Sequence, residues 1–134
     1  VKTVNRGPAD TSIFDADPGK DSIAHGVNAG YWGKATLANK DIFIAADKSP
    51  GSRVRRLQAL RRRLQAGLAE RPEEPGLSIF DTCSQFIRTV PVLPRDAKNP
   101  EDVDTNAEDH VYDETGYRLL AAKNVARRVK VGMV

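Results

Sequence analysis

Leu57, Leu60, Leu64 and Leu68 recur at intervals of three and four residues, the spacing that lines one side of an α-helix. The pattern predicts a helix over Arg53–Arg71, with Ser52 as its N-cap and Arg71-Pro72-Glu73-Glu74-Pro75-Gly76 as its stop. Arg55, Arg56, Arg62 and Arg63 fall largely off the leucine stripe. Upstream, the apolar run Ile42-Phe43-Ile44 predicts a strand over Lys40–Ala46, broken by Ser49-Pro50-Gly51-Ser52. Before it, Ile23, Ala24 and Val27 suggest a short helix over Lys20–Val27, and Gly7-Pro8 and Asp17-Pro18-Gly19 read as turns. Downstream, Leu77–Phe80 reads as a second strand, and Thr82–Val90 as a short helix that turns Phe86, Ile87 and Val90 inward and ends at Pro91 and Pro94. Arg95–Thr105 is polar and turn-rich. A last helix is predicted from near Thr105, where Thr105-Asn106-Ala107-Glu108 has the form of a capping box, with Ala107, Val111, Tyr117, Leu120 and Ala121 on its apolar side. Strands alternating with helices predict an α/β layer structure.

Apolar residues make up 40% of the 134 positions and charged residues 29%, enough for one domain with a modest core. The apolar runs are a handful of residues long, far short of the roughly 20 that a membrane-spanning helix needs, so no membrane association is expected. No basic-then-apolar leader opens the chain, and its start at Val1 suggests a processed or partial piece. Cys83 is the sole cysteine, which excludes an internal disulfide; with two histidines it is too little for a zinc-finger set. Cys83 is read as a packing residue. Gly33-Lys34-Ala35 lacks the hydroxyl that a nucleotide-hydrolysing P-loop places on magnesium.

Charge is distributed unevenly. Between Asp96 and Glu114, eight acidic side chains stand against Lys98 alone, a local charge of −7; with +3 overall, the remainder carries +10. A basic body with one concentrated acidic segment suits a polyanion binder that also holds divalent cations. A solvated mixed-charge surface is the plain alternative.

The acidic segment contains Glu108-Asp109-His110-Val111-Tyr112-Asp113-Glu114. On a helix, Asp109 and Asp113 are four apart and His110 and Asp113 three apart, so all three share a face. Like charges at that spacing repel, and a divalent cation removes the conflict; magnesium and manganese favour carboxylate and water oxygens. The structural alternative is that acids favour the positive end of a helix, which covers the first turn but not an Asp113 lying beyond it. A metal site needs a further carboxylate. Asp10, which follows a tight turn, leads; Asp15 and Asp17 look like turn residues, and Asp47 and Asp81 are weaker candidates.

The run Phe86-Ile87-Arg88-Thr89-Val90-Pro91, followed by Glu108-Asp109-His110-Val111-Tyr112-Asp113, resembles the C-terminal nuclease domain of tailed-bacteriophage terminase large subunits. Ala9-Asp10-Thr11-Ser12-Ile13-Phe14 and Ala46-Asp47-Lys48 through Ser52-Arg53 match the same family in the same order. The resemblance implies an RNase H-like α/β nuclease fold, incomplete at its N-terminal edge, over residues 1–124, with a basic tail over residues 125–134. It matches the family's helix acid to Asp113 and its middle-strand acid to Asp10. The family's opening-strand acid and its ATPase motor domain have no counterpart, and Gly116 stands where the family often has Arg.

The activity so implied is divalent-metal-dependent cleavage of concatemeric double-stranded DNA, with two Mg2+ or Mn2+ ions about 4 Å apart. Asp10, Asp113 and His110 are the expected catalytic residues. Asp10 and Asp113 are the expected direct metal ligands, with Asp109 beside them and His110 assisting. Lys48, Arg53, Arg55, Arg56, Arg62 and Arg63 are expected to track the DNA backbone, which gives affinity without sequence readout. Through the full-length protein, the terminase small subunit and the portal protein are the implied partners, in the host-cell cytoplasm during phage assembly. Tyr31 and Trp32 are groove-lining or packing residues. The alternative reading is a non-catalytic DNA- or protein-binding module, a degenerate nuclease whose acidic segment docks another packaging component.

Overall fold

The computed structural model describes residues 7–32, 42–71 and 73–122, with residues 28–32 by backbone alone. The described residues mix helices with one small parallel sheet, as expected for an α/β layer structure. β1 (Gly7–Ala9) and β2 (Phe43–Ala45) run parallel, Gly7 opposite Phe43 and Ala9 opposite Ala45. A parallel pair requires a crossover; here it includes a 3-10 turn (Thr11–Phe14) and α1 (Ile23–Trp32), which extends five residues past the predicted end at Val27. The pattern of the sequence does not announce β1, because Gly7-Pro8 reads as a turn. Gly7 N–H donates to the Ile42 carbonyl and Ala46 N–H to the Ala9 carbonyl, each at 2.9 Å. Successive residues of a parallel strand direct their N–H groups to opposite sides, so Pro8 falls where the ladder needs no donor.

α2 (Ser52–Leu68) forms where the leucine spacing places a helix. Its N-cap is Gly51, at φ 78°, a left-handed conformation open to glycine; Ser52 is instead the first helical residue and is buried. Leu57 and Leu60 are buried, whereas Leu64 and Leu68 are exposed, so the stripe reaches the core only along the first half of the helix. Leu77–Phe80 is not a strand. Leu77 N–H donates instead to the Arg63 carbonyl at 2.9 Å, which docks the returning chain on α2. α3 (Ser84–Thr89) continues into a 3-10 turn (Val90–Val92) that takes in Pro91; Phe86 and Val90 pack on the core, but Ile87 is exposed, contrary to expectation. Cys83 is likewise exposed rather than packed.

α4 (His110–Ala121) starts five residues later than the capping-box pattern predicts. Asp104 captures the chain first: its carboxylate accepts from Asn106 N–H at 2.9 Å, and its carbonyl accepts from Ala107 N–H at 3.2 Å. Glu108, the other half of the expected box, accepts two bonds from Arg88, at 2.9 and 2.5 Å. The later start puts Asp113 inside the first turn of α4, where its charge suits the positive end of the helix. Its sequence position therefore needs no metal to account for it.

Leu57, Leu60, Val103 and Tyr112 form the core, with Leu77, Phe86, Val90, Leu93 and Leu119 against it. α4 packs on both α2 and β1. That double contact brings helix side chains to the C-terminal end of the parallel strands. Among the described residues, no helix is long and apolar enough to cross a membrane. The predicted basic tail, residues 125–134, lies outside the described residues, as do the side chains of Tyr31 and Trp32.

Candidate functional site

Asp10 directly follows β1, and Lys48 lies three residues past β2, so both stand at the carboxyl ends of parallel strands, where open α/β sheets bind ligands. Lys48 Nζ lies 2.7 Å from Asp10 Oδ2, and the Tyr117 hydroxyl donates to the same oxygen at 2.8 Å. Ser12 N–H donates to Asp10 Oδ1 at 2.9 Å as the chain enters the 3-10 turn. The ammonium of Lys48 and the Ser12 amide hold the Asp10 carboxyl well below the usual carboxylate range. Asp10 in turn raises the pKa of Lys48.

A second ion pair lies behind the first. Arg56 Nη1 donates to Asp113 Oδ1 at 3.0 Å, and its side chain is only 3% exposed. The Arg56 guanidinium stacks 4.7 Å from the centre of the Tyr117 ring, with Lys48 Nζ 6.0 Å from that centre. One chain of contacts therefore runs Lys48–Asp10–Tyr117–Arg56–Asp113. Burial pushes the Asp113 carboxyl above its ordinary value; Arg56 opposes that push, and neighbouring Asp109 adds to it. Tyr117 is raised by burial and by its bond to Asp10. Behind this chain Tyr112 is buried with its hydroxyl unpartnered among the described residues, and burial pushes it up to about 12.

The structure thus brings Asp10 and Asp113 to one cluster, with buried Asp109 at the head of α4. It does not bring His110 there: His110 is exposed on the first turn and takes no part in the contacts just described. Asp15, Asp17 and Asp81 are exposed, and Asp47 closes its own turn onto Ser49 N–H and pairs with Arg55. Arg56 departs furthest from expectation. It is buried inside the cluster and is not a surface residue free to track DNA. Arg53 is tied to Asp102 at 2.6 Å, Arg55 to Asp47 at 3.1 Å, and Arg63 to the Pro75 carbonyl at 3.1 Å. Arg62 is exposed, and Arg55, Arg61 and Arg62 line an open groove of about 480 Å³ with Gln58, Gln65 and Leu120.

Tyr117 is the residue of this cluster that the sequence pattern does not single out, and Arg56, expected on the DNA surface, is the one it misplaces. The signal lay in spacing: Arg56 is four residues before Leu60, hence on the buried stripe, and Tyr117 is four residues after Asp113, hence on its face. By sequence the charge of Arg56 suggests contact with DNA, and the ring of Tyr117 a place on the apolar side of the last helix.

Among the described residues, no group of three or more His, Cys, Asp or Glu side chains is arranged to hold a metal ion. Asp10 and Asp113, the two acids that converge, are each already neutralised by an internal cation. As they stand, these residues do not fit a two-metal centre. The arrangement presents two oriented carboxylates, one paired with Lys48 and one with Arg56. Comparison with profiles of known protein families, with curated proteins and with solved structures finds no match for this chain.

Proposed function

We propose that this chain is part of an RNase H-like, divalent-metal-dependent endonuclease of the terminase type, acting on double-stranded DNA. The observation that carries the reading is the meeting of Asp10 and Tyr117, 107 residues apart, at the end of β1, with Asp113 joined to them through Arg56. In this reading Tyr117 orients the Asp10 carboxylate and Arg56 orients that of Asp113. The exposed arginines of α2 hold the phosphate backbone, which requires charge and not base readout. The Mg2+ or Mn2+ of the proposed reaction needs a further carboxylate beyond the described cluster, so the chain on its own is proposed to be weakly active or inactive. The small subunit and portal protein of a packaging complex, in the host cytoplasm, are the corresponding proposed partners.

The neutralisation of both acids favours a second reading, a non-catalytic DNA-binding module derived from such a nuclease. Two assays on the 134-residue chain separate the readings: duplex binding by fluorescence anisotropy, and plasmid nicking in manganese. The nuclease reading expects salt-dependent duplex binding with slow nicking that Asp113→Asn abolishes while binding survives. Binding with no nicking above background favours the module over a weakly active nuclease. Absence of duplex binding removes both.

A further inference from the structure

We propose that α2 seats its exposed face in the major groove of duplex DNA, with Gln58 and Gln65 at the base edges and Arg61 and Arg62 on the phosphates of the two bounding strands. The inference rests on the duplex binding that both readings above share, and adds base recognition to it.

The face follows from the turn of the helix. At about 100° per residue, Arg56 and Leu60 each stand about 160° from Gln58, and both are buried. Gln58 therefore points away from the packed side. Gln65, two turns on, lies about 20° from it; Arg61 stands about 60° to one side and Arg62 about 40° to the other. All four residues are exposed, and their side chains make no hydrogen bond or ion pair among the described residues. They line the open groove of about 480 Å³, to which α4 contributes Leu120. No acid occurs along α2, and Arg53, Arg55 and Arg56 are taken by Asp102, Asp47 and Asp113. The positive charge left without a carboxylate lies in the second half of the helix, on Arg61, Arg62 and Arg63.

Two uncharged amides flanked on both sides by guanidinium groups have a definite complement. It carries negative charge along two edges and hydrogen-bonding groups between them. The major groove of B-DNA has that pattern and, at about 12 Å across, admits one α-helix. A glutamine amide donates and accepts together, which matches N7 and the N6 amino group of adenine. The two amides are about 10 Å apart along the helix axis, the rise of about three base pairs. Arginines on the flanks meet phosphates, which fix the register in which the amides work.

The test is selection of duplexes bound by the full chain from a pool with a randomised centre. Fluorescence anisotropy then compares the selected duplex with its scrambled version, for the parent, the Gln58→Ala and Gln65→Ala double variant, and Arg61→Ala. The selected duplexes should carry adenines and bind about fivefold or more tighter than the scrambled ones. Loss of both amides should bring that ratio close to one. Arg61→Ala should weaken both duplexes alike and lower the salt slope by about 0.9. Circular-dichroism melts should show every variant folded, since the positions are exposed. A pool without enrichment, or a preference that survives loss of both amides, would overturn base recognition and leave duplex binding standing. Failure of every duplex to bind would overturn both.

Discussion

Gly116 lies so close to Arg56 that a β-carbon at that position would come within 2.8 Å of Arg56 Cδ and 3.0 Å of its Cβ. The glycine is the space in which the buried arginine reaches Asp113. By helix propensity alone Gly116→Ala should stabilise α4 by about 1 kcal/mol. The clash falls on the stem of a buried side chain, which has nowhere to move. Net destabilisation of about 1–3 kcal/mol is expected, the range for overpacking. Urea denaturation of the two proteins checks it, and a more stable alanine variant would remove the packing role.

Arg56 and Asp113 should respond unequally to mutation. Arg56→Met leaves the half-buried Asp113 carboxylate without its cation, and breaking a pair with one buried partner should cost about 2–3 kcal/mol. Asp113→Asn keeps an oxygen for Arg56 Nη1 and removes a charge that burial already disfavours. It should melt no lower than the parent. Thermal melts at neutral pH test the pair, and equal losses in both would contradict the asymmetry.

The two acids should carry opposite pH signatures. Asp10 is held below the ordinary aspartate value of 3.8, so its contribution is present above that pH and is lost as pH falls below it. Asp113 is held above 3.8, so the fold binds its proton more tightly than the unfolded chain does. Its contribution is present at low pH and is lost as pH rises from 3.8 through its folded value. Denaturation midpoints across this range should show Asp10→Asn flattening the acid limb. Asp113→Asn should remove the loss above 3.8. Parallel curves for the two variants would count against both assignments.

Tyr112 is 1% exposed, and its hydroxyl has no partner among the described residues. An unpaired buried hydroxyl loses its hydration with no return. Tyr112→Phe keeps the ring and drops that group, so stability should be unchanged or should rise by up to about 1 kcal/mol. A drop of comparable size in guanidinium denaturation would show that the hydroxyl is satisfied.

Duplex binding should depend on Arg62 and not on Arg56. Arg62 is exposed beside the groove, whereas Arg56 is bound to Asp113. Arg62→Gln should reduce the slope of log affinity against log salt by about 0.9, the value for one phosphate contact. Arg56→Lys, which keeps the charge, should leave the slope unchanged. The reverse pattern would move the DNA surface into the cluster.

Local regularity was legible in the sequence, and partnership was not. Leucine spacing marked α2, the Ile42–Ile44 run marked β2, and the acidic segment marked the start of α4 to within five residues, because helical and strand periods are written in neighbouring side chains. Asp10 and Asp113 stand out in the sequence by their local settings, but the contacts through Tyr117 and Arg56 that link them do not. What the sequence left open depended on contacts between distant segments. β1 exists because β2 supplies its partners, while Leu77–Phe80 stays unpaired because α2 captures Leu77. The expected capping box fails because Arg88, twenty residues upstream, takes Glu108. Arg56 changes from surface charge to buried strut because Gly116, sixty residues away, leaves room for it. A side chain's charge is fixed by its identity, but its burial and its counter-ion are set by whichever element packs across it. Only the tertiary structure determines that these acids stand beside Lys48 and Arg56.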